Sequence, residues 1–403
     1  MADSGFFSYH FSPRSIQPPT ILVGVTSQET CRAWGMRLRA LRQSGFRVLL
    51  VCGPGELADD AAISAGVERY TIPMHRAIAP LADLMTLIRL LWLIGRCKPD
   101  VVEFSTPKAG LLGSLAAKLR GVPHRVYMLR GLKLECSSGM KRTILLACER
   151  LACACAEIVL CNSESLRTEA IYLGLAPSRK LHVLGQGSSY GVDVERFSPG
   201  LSTVRKVFEI PPAAPVIGFA GRLTRDKGLP ELVQAFERIL FAMPSAHLLL
   251  VGWFDDADDA LDEIIRARIL GHPRIHCTGF VADTALYYRA MDLLVLPTWR
   301  EGFPNAVLEA AATGIPAVTT ECTGARDSVI PEVTGLLIPP GYPEAIYEAV
   351  LKLLRDQERR LRMGRAARAW VIENYAEDHV LRQTASYYRS LLKSEPVVQL
   401  QHI

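Results

Sequence analysis

The chain has 403 residues, of which 49% are hydrophobic and 22% charged, and a net charge of +5. That length exceeds one ordinary domain and the composition supports a sizeable core, so a disordered chain is excluded away from the ends and two domains are expected. The charge is uneven: residues 1–195 carry 23 Lys and Arg against 16 Asp and Glu, and the rest carry 23 against 25. A basic first half suits an anionic partner, such as a phosphorylated acceptor or an acidic membrane face; ordinary surface variation is the equal rival.

The first twenty residues are polar and hold no apolar signal segment. A soluble or peripheral protein of the cytoplasm is therefore expected. Short β-branched runs then alternate with helical patterns, the mark of parallel sheets covered by crossover helices. Strands are expected at 20–27, 47–53, 67–73, 100–106, 124–131 and 157–163. Several are apolar throughout, as strands buried on both faces are. Helices are expected at 29–43, 84–96 and 110–120.

The first of these helices carries Arg32, Arg37, Arg39 and Arg42 beside Trp34, Met36, Leu38 and Leu41. It is a candidate for docking on anionic lipid; the rival is a surface helix packed on its own sheet. The run at 84–95 contains Arg89 and is shorter than the roughly 20 apolar residues that span a bilayer, and its apolar face can equally be core. Cys148, Cys153, Cys155 and Cys161 cluster without paired C-x-x-C spacing or a His, so buried thiols are expected rather than zinc.

A looser stretch, "GQGSSYGVDVERFSPG", follows. Its Gly185–Gly191 portion imitates a dinucleotide fingerprint but has the wrong spacing and opens no helix, so it reads as linker. Further strands are expected at 215–221, 246–252, 274–280, 292–298 and 316–321, and helices from 344 to 392. The expected division is a first domain over 1–196, a linker over 197–214 and a second domain over 215–377, with a helix at about 378–392 returning to the first. Two doubly wound α/β domains facing across a cleft bind ligands at the carboxyl ends of their strands.

Two motifs sit at such ends. In "GFAGRLTRDKGLPELVQAF" a strand stops at Gly221, Arg222 and Lys227 occupy the loop, and Pro230 marks a helix start. Two cations beside a helix N-terminus make an anion site that fits a diphosphate; two solvated loop charges are the alternative. In "LPTWREGFPNAVLEAAATGIPAV" the loop after a strand places Glu301 ahead of an alanine-rich helix, with Glu309 eight residues on. That separation suits a ligand held at two places, such as the sugar and the ribose of a nucleotide sugar; both acids can instead be helix-surface groups. The acids of "DDADDALDE", Asp255–Glu263, read as solvated.

"GRLTRDKG", followed about seventy residues later by "EGFPNAVLEA" and then by "TGLLIPP", resembles the retaining family-4 glycosyltransferases of the GT-B fold. "TPKAGLLGSLAAKLRGVPHRVYMLRGL" and "CNSESLR" in the first half resemble bacterial enzymes of capsular and exopolysaccharide assembly. The resemblance covers essentially the whole chain. It implies an α/β protein with two Rossmann-like parallel-sheet domains, the second binding the donor. It implies that Arg222 and Lys227 hold the donor diphosphate after Gly221, that Glu301 lies near the transferred sugar, and that Glu309 contacts the ribose. Gly302, Phe303, Pro304 and Asn305 would cradle phosphate and sugar, and Gly279, Phe280 and Val281 would meet the base.

Glu301, Arg222 and Lys227 are thus the implied catalytic set, with no metal and no cofactor. The implied reaction moves a hexose or N-acetylhexosamine from a nucleotide-diphosphate sugar, UDP favoured, to a saccharide or lipid-linked saccharide. Its setting would be exopolysaccharide, capsule or O-antigen-type synthesis. The alternatives are a non-catalytic sugar-nucleotide-binding partner of an assembly complex and a GT-B epimerase; no nucleic-acid partner is expected. The chain departs from the family in lacking a Gly-Gly loop after the first strand and in carrying Arg130 where many members have His. Arg76, Lys108 and Arg130 are the candidate acceptor-side residues, with an ion pair to Asp83 as the competing role for Arg76.

Overall fold

The protein is described from a computed structural model over residues 18–32, 34–75, 79–256 and 259–393. Its first unit opens with β1 (Thr20–Gly24), α1 (Gln28–Arg32), α2 (Gly35–Gln43), β2 (Arg47–Cys52), α3 (Glu56–Ala65) and β3 (Glu68–Thr71). It continues through α4 (Pro80–Cys97), β4 (Val101–Ser105), α5 (Pro107–Leu119) and β5 (His124–Leu129), then α6 (Gly139–Cys155), β6 (Ile158–Cys161), α7 (Glu164–Tyr172) and β7 (Leu181–Val183). The second unit runs α8 (Val204–Val207), β8 (Val216–Ala220), α9 (Leu229–Ala242), β9 (His247–Val251), α10 (Glu263–Gly271), β10 (Ile275–Cys277) and α11 (Ala285–Tyr288). There follow β11 (Leu293–Leu296), α12 (Asn305–Ala312), β12 (Ala317–Thr320), β13 (Gly335–Ile338), α13 (Pro343–Arg355), α14 (Gln357–Tyr375) and α15 (Glu377–Lys393).

The strands form two all-parallel sheets, ordered β3-β2-β1-β4-β5-β6-β7 and β10-β9-β8-β11-β12-β13. In each, the order reverses beside the first strand, between β1 and β4 and between β8 and β11. Loops diverge there and leave a crevice at the carboxyl edge. The apolar strands follow from burial on both faces: Ile21 and Val23 enter the core beneath α1–α3, whereas Leu22 enters the one beneath α4 and α5. Proline opens α4, α5, α9 and α13, where its missing N–H costs nothing. On α9, Leu232, Val233, Phe236 and Ile239 are wholly buried at helical spacing, each contributing about 1.5–3 kcal/mol by transfer from water.

The chain passes between the sheets twice, and the two crossings are bonded to each other. Val192 N–H donates to the Tyr375 carbonyl at 2.9 Å, and Glu377 N–H donates to the Val192 carbonyl at 2.9 Å. Gly191 has φ +70°, and a Cβ there would stand 2.5 Å from the Tyr375 oxygen, so the crossing needs glycine on both counts. Beyond it, α15 packs on the first sheet. Its Tyr388 hydroxyl donates to Glu103 on β4, and Arg37 donates to the same carboxylate at 2.5 Å.

Local structure differs from the sequence pattern in two places. The helix expected over 29–43 is two, α1 and α2, because Trp34 turns inward and is fully buried between them. Three of its four cations are engaged. Arg37 is buried against Glu103, while Arg39 and Arg42 donate to the Ser64 and Gly66 carbonyls and tie α2 to α3. These contacts favour the rival reading, a helix packed on its own sheet. The stretch Gly185–Gly191 is more than connection, since Gly187 packs against the Asn162 carbonyl and Tyr190 enters the cleft.

Candidate active site

At the crevice of the second sheet, β8 delivers Gly221 and the loop 222–228, and β11 delivers the loop 297–304. The two loops are bonded along their length. Trp299 N–H donates to the Asp226 carbonyl at 2.9 Å, and the Thr298 hydroxyl donates to the same oxygen at 3.2 Å. Gly228 has φ +74°, with the Pro297 carbonyl 2.0 Å from where a Cβ would sit, so only glycine lets the loops touch and α9 begin.

Between the loops lies a charge network centred on Asp226, which is buried and accepts from Thr224 Oγ1 at 2.6 Å and from Arg300 at 2.8 Å. Burial pushes this carboxyl up, but Lys227, the Thr224 hydroxyl, Arg300 and Arg222 outweigh burial and hold it below the usual carboxylate range. Arg222 donates to Asp255 at 2.9 Å and comes within 3.8 Å of Asp226. Arg300 also lies 3.6 Å from Asp259. Asp255 and Asp259 therefore brace the arginines, which corrects the solvated reading for these two acids, whereas Asp256, Asp262 and Glu263 are exposed as expected. Lys227 Nζ stands 2.5 Å from Glu301 Oε1, both largely buried. Such fixed cations can hold an anion at little reorganisation cost, provided the partner acids keep them aimed.

A cavity of about 190 Å³ opens beside this pair, lined on the second-domain side by Gly221, Lys227, Glu301, Phe303, Pro304 and Asn305. The first turn of α12 begins at Asn305, and first-turn N–H groups lack intrahelical partners. The first domain closes the other side with Arg130 and Tyr190. Arg130 lies over the Trp34 ring at 5.6 Å, and its side chain makes no hydrogen bond or ion pair among the described residues. Gly302 does not line the cavity; it is pressed against the Arg130 carbonyl. Asn305 Nδ2 donates to the Gly191 carbonyl at 2.9 Å, fixing the start of α12 to the crossing segment.

Glu309 lies one helical stretch further on, accepting from the buried Tyr288 hydroxyl at 2.7 Å. Burial pushes its carboxyl up to about 7 despite that hydrogen bond. Gly279, Phe280 and Val281 lie apart from the cavity lining, after β10, where Phe280 meets Trp253 edge-on at 5.5 Å. Lys108 is held at 2.6 Å by Asp83 in the first domain, and Arg76 lies outside the described residues. Among the described residues no group of three or more His, Cys, Asp and Glu could hold a metal ion, and all ten cysteines are free thiols. Sequence reasoning missed Asp226, Arg300, Tyr190 and Tyr288. Of these only Asp226 carried a signal, an acid lodged between the cations of "RDK".

Residues 32–187 match the family described as Glycosyl transferase 4-like domain, and residues 214–356 match Glycosyl transferases group 1. The chain is 35% identical, over 80% of its length and 85% of the relative's, to the capsular polysaccharide biosynthesis glycosyltransferase CapM of Staphylococcus aureus. It is 26% identical, over 77% of its length and 81% of the relative's, to the Escherichia coli UDP-Gal:alpha-D-GlcNAc-diphosphoundecaprenol alpha-1,3-galactosyltransferase. Among solved structures, Anabaena HepE in complex with UDP and glucose superposes with a TM-score of 0.77 at 20% identity, over 92% of this chain and all of that one. The chain belongs to the group 1 glycosyltransferases and has the GT-B fold, its N-terminal sheet being the family-4-like domain and its C-terminal sheet the group 1 domain.

Proposed function

We propose that this glycosyltransferase moves a hexose or N-acetylhexosamine from a nucleoside-diphosphate sugar, UDP favoured, to a lipid-linked saccharide. Transfer retains the anomeric configuration and serves bacterial polysaccharide assembly at the cytoplasmic face of the membrane. The observation that carries this reading is the Lys227–Glu301 pair at the mouth of a cavity between the sheets, with Arg222 braced alongside. The Staphylococcus aureus relative's name supports the polysaccharide setting, and the Escherichia coli relative's name supports a UDP-sugar and a diphosphoundecaprenol-linked acceptor.

In this mechanism the anomeric carbon gains oxocarbenium character while negative charge grows on the leaving diphosphate. Lys227, Arg222 and the first turn of α12 stabilise that charge, the largest single contribution in such chemistry. Glu301 accepts hydroxyls of the transferred sugar as Lys227 turns to the phosphate. Glu309 accepts ribose hydroxyls, and Gly279–Val281 border the base. Closure of Arg130 and Gly131 on Gly302 excludes water that would hydrolyse the donor.

A thermal-shift series with UDP-, GDP- and ADP-sugars tests the donor reading. A bound donor at about 100 times its Kd raises stability by about 2.7 kcal/mol, which is readily seen as a higher Tm. The largest rise is expected with a UDP-sugar, and the Lys227→Ala variant should lose it. No rise with any nucleotide sugar, or an equal rise in the variant, would end this assignment. The anomeric proton signal of the product reads retention or inversion directly.

A further inference from the structure

We infer that helices α4 and α6 of the first domain form a docking surface for an anionic lipid bilayer. Together with α5 between them they cover one face of the first sheet. Helix α4 buries Leu90, Leu93 and Ile94 against that sheet. Its outer face nevertheless carries Leu81, Leu84, Met85, Ile88 and Trp92, at helical spacing and about half or more exposed, with Leu81 at 82%. An ordinary surface helix puts polar residues there. Helix α6 adds Met140 and Ile144, with Met140 80% exposed.

The charges around this patch choose the partner. Between residues 80 and 155 there are 12 Lys and Arg and 5 Asp and Glu. Of those acids Glu103 and Glu149 are buried, and Asp83 is bound to Lys108. Exposed Arg89 and Arg96 lie along α4 and exposed Arg142 and Arg150 along α6, and the Arg96 guanidinium lies 5.2 Å over the Trp92 ring. Apolar side chains interleaved with cations, and almost no free acid, complement lipid tails beneath anionic headgroups. A second copy fits poorly, because a two-fold contact would lay the same arginines against each other. No helix among the described residues is long and apolar enough to cross a membrane, so this surface lies on the bilayer rather than within it.

Topology fixes how the enzyme would sit. Helix α4 follows β3 and α6 follows the turn after β5, so both start at the carboxyl edge of the sheet, the edge that borders the cleft. Leu81, Leu84, Met85 and Met140 belong to these starting turns. Docking through them holds the cleft mouth at the headgroup level, where a lipid-borne substrate presents its polar end.

Vesicle co-sedimentation of the full chain tests this without any sugar substrate, so its outcome is independent of the donor reading. The probes are phosphatidylcholine vesicles with and without about 30 mol% phosphatidylglycerol, at low salt and at about 0.5 M salt. Binding is expected only with the anionic lipid, falling at high salt. The triple variant Leu84→Gln, Ile88→Gln, Trp92→Gln should bind at least tenfold more weakly, and Arg89→Glu with Arg96→Glu should bind similarly weakly. Both should keep the wild-type Tm, since the altered side chains are exposed. Wild-type protein that ignores anionic vesicles overturns the inference, as does a triple variant that binds undiminished. A dimer in light scattering that the triple variant dissolves, without vesicle binding by the wild type, would assign the patch to self-association and overturn it equally.

Discussion

Gly302 packs so closely on the Arg130 carbonyl that a Cβ there would stand 2.1 Å from the oxygen. The contact joins the loop after β11 to the end of β5, and it is steric rather than conformational, because Gly302 does not have a positive φ. Gly302→Ala should therefore leave each sheet folded while holding the two domains apart. We expect transfer to fall at least tenfold, with kcat falling more than KM rises, since closure assembles the site after donor binds. Small-angle scattering should show a more open particle. Full activity in this variant would mean that the contact is incidental.

The Lys227–Glu301 pair is expected to act as a unit. Lys227→Ala and Glu301→Gln should each lower kcat about 10²- to 10³-fold, the usual cost of removing one preorganised stabilising group. The double variant should cost much less than the product of the two, because residues in direct contact do not add. Strict additivity in kcat would separate their roles and contradict a shared site.

How far the sequence reveals this site depends on the range of the interaction. Strands such as Thr20–Gly24 and Val216–Ala220 are legible because burial on both faces forces continuous apolar runs. Lys227 and Glu301 are legible because each sits on a loop that follows a strand. Arg37 misleads, because its partner Glu103 lies 66 residues away and nothing local marks it as buried. Tyr190 is hidden for the same reason: a glycine- and serine-rich stretch looks like a connector until the other domain is placed beside it. Strand β7 is hidden because it is three residues long with His182 exposed in its middle, so no apolar run marks it.

Glu309, the proposed ribose contact, carries a pH signature. Its folded value, pushed up by burial to about 7, lies above its ordinary 4.5. The group therefore contributes stability that is complete below pH 4.5 and lost as the pH rises through about 7. Glu309→Gln should lose less stability than the wild type between about pH 5 and about pH 8, as read from Tm at each pH. Donor binding should run the opposite way, tightening as the carboxylate forms if it accepts ribose hydroxyls. In the Gln variant that pH dependence should flatten. Identical pH profiles in the two proteins would remove Glu309 from the donor site.

The last helix is tied to the first domain by a buried ion pair, and its removal should be costly in a graded way. Arg37 and Glu103 are 1% and 0% exposed, and Tyr388 of α15 donates to the same carboxylate. Arg37→Ala leaves the buried Glu103 carboxylate without its countercharge, held only by the Tyr388 hydroxyl, and should cost about 3–5 kcal/mol. Tyr388→Phe removes one donor and keeps the ring, so about 1.5–3 kcal/mol is expected for a hydrogen bond to a charged group. Because both act on Glu103, the combined loss should fall short of the sum in urea unfolding. Arg37 also donates to the Ser189 carbonyl at 3.0 Å, next to Tyr190 in the cleft. The arginine variant should therefore weaken donor binding beyond its effect on folding, whereas the tyrosine variant should not. Equal donor affinity in both would confine the network to holding α15 in place.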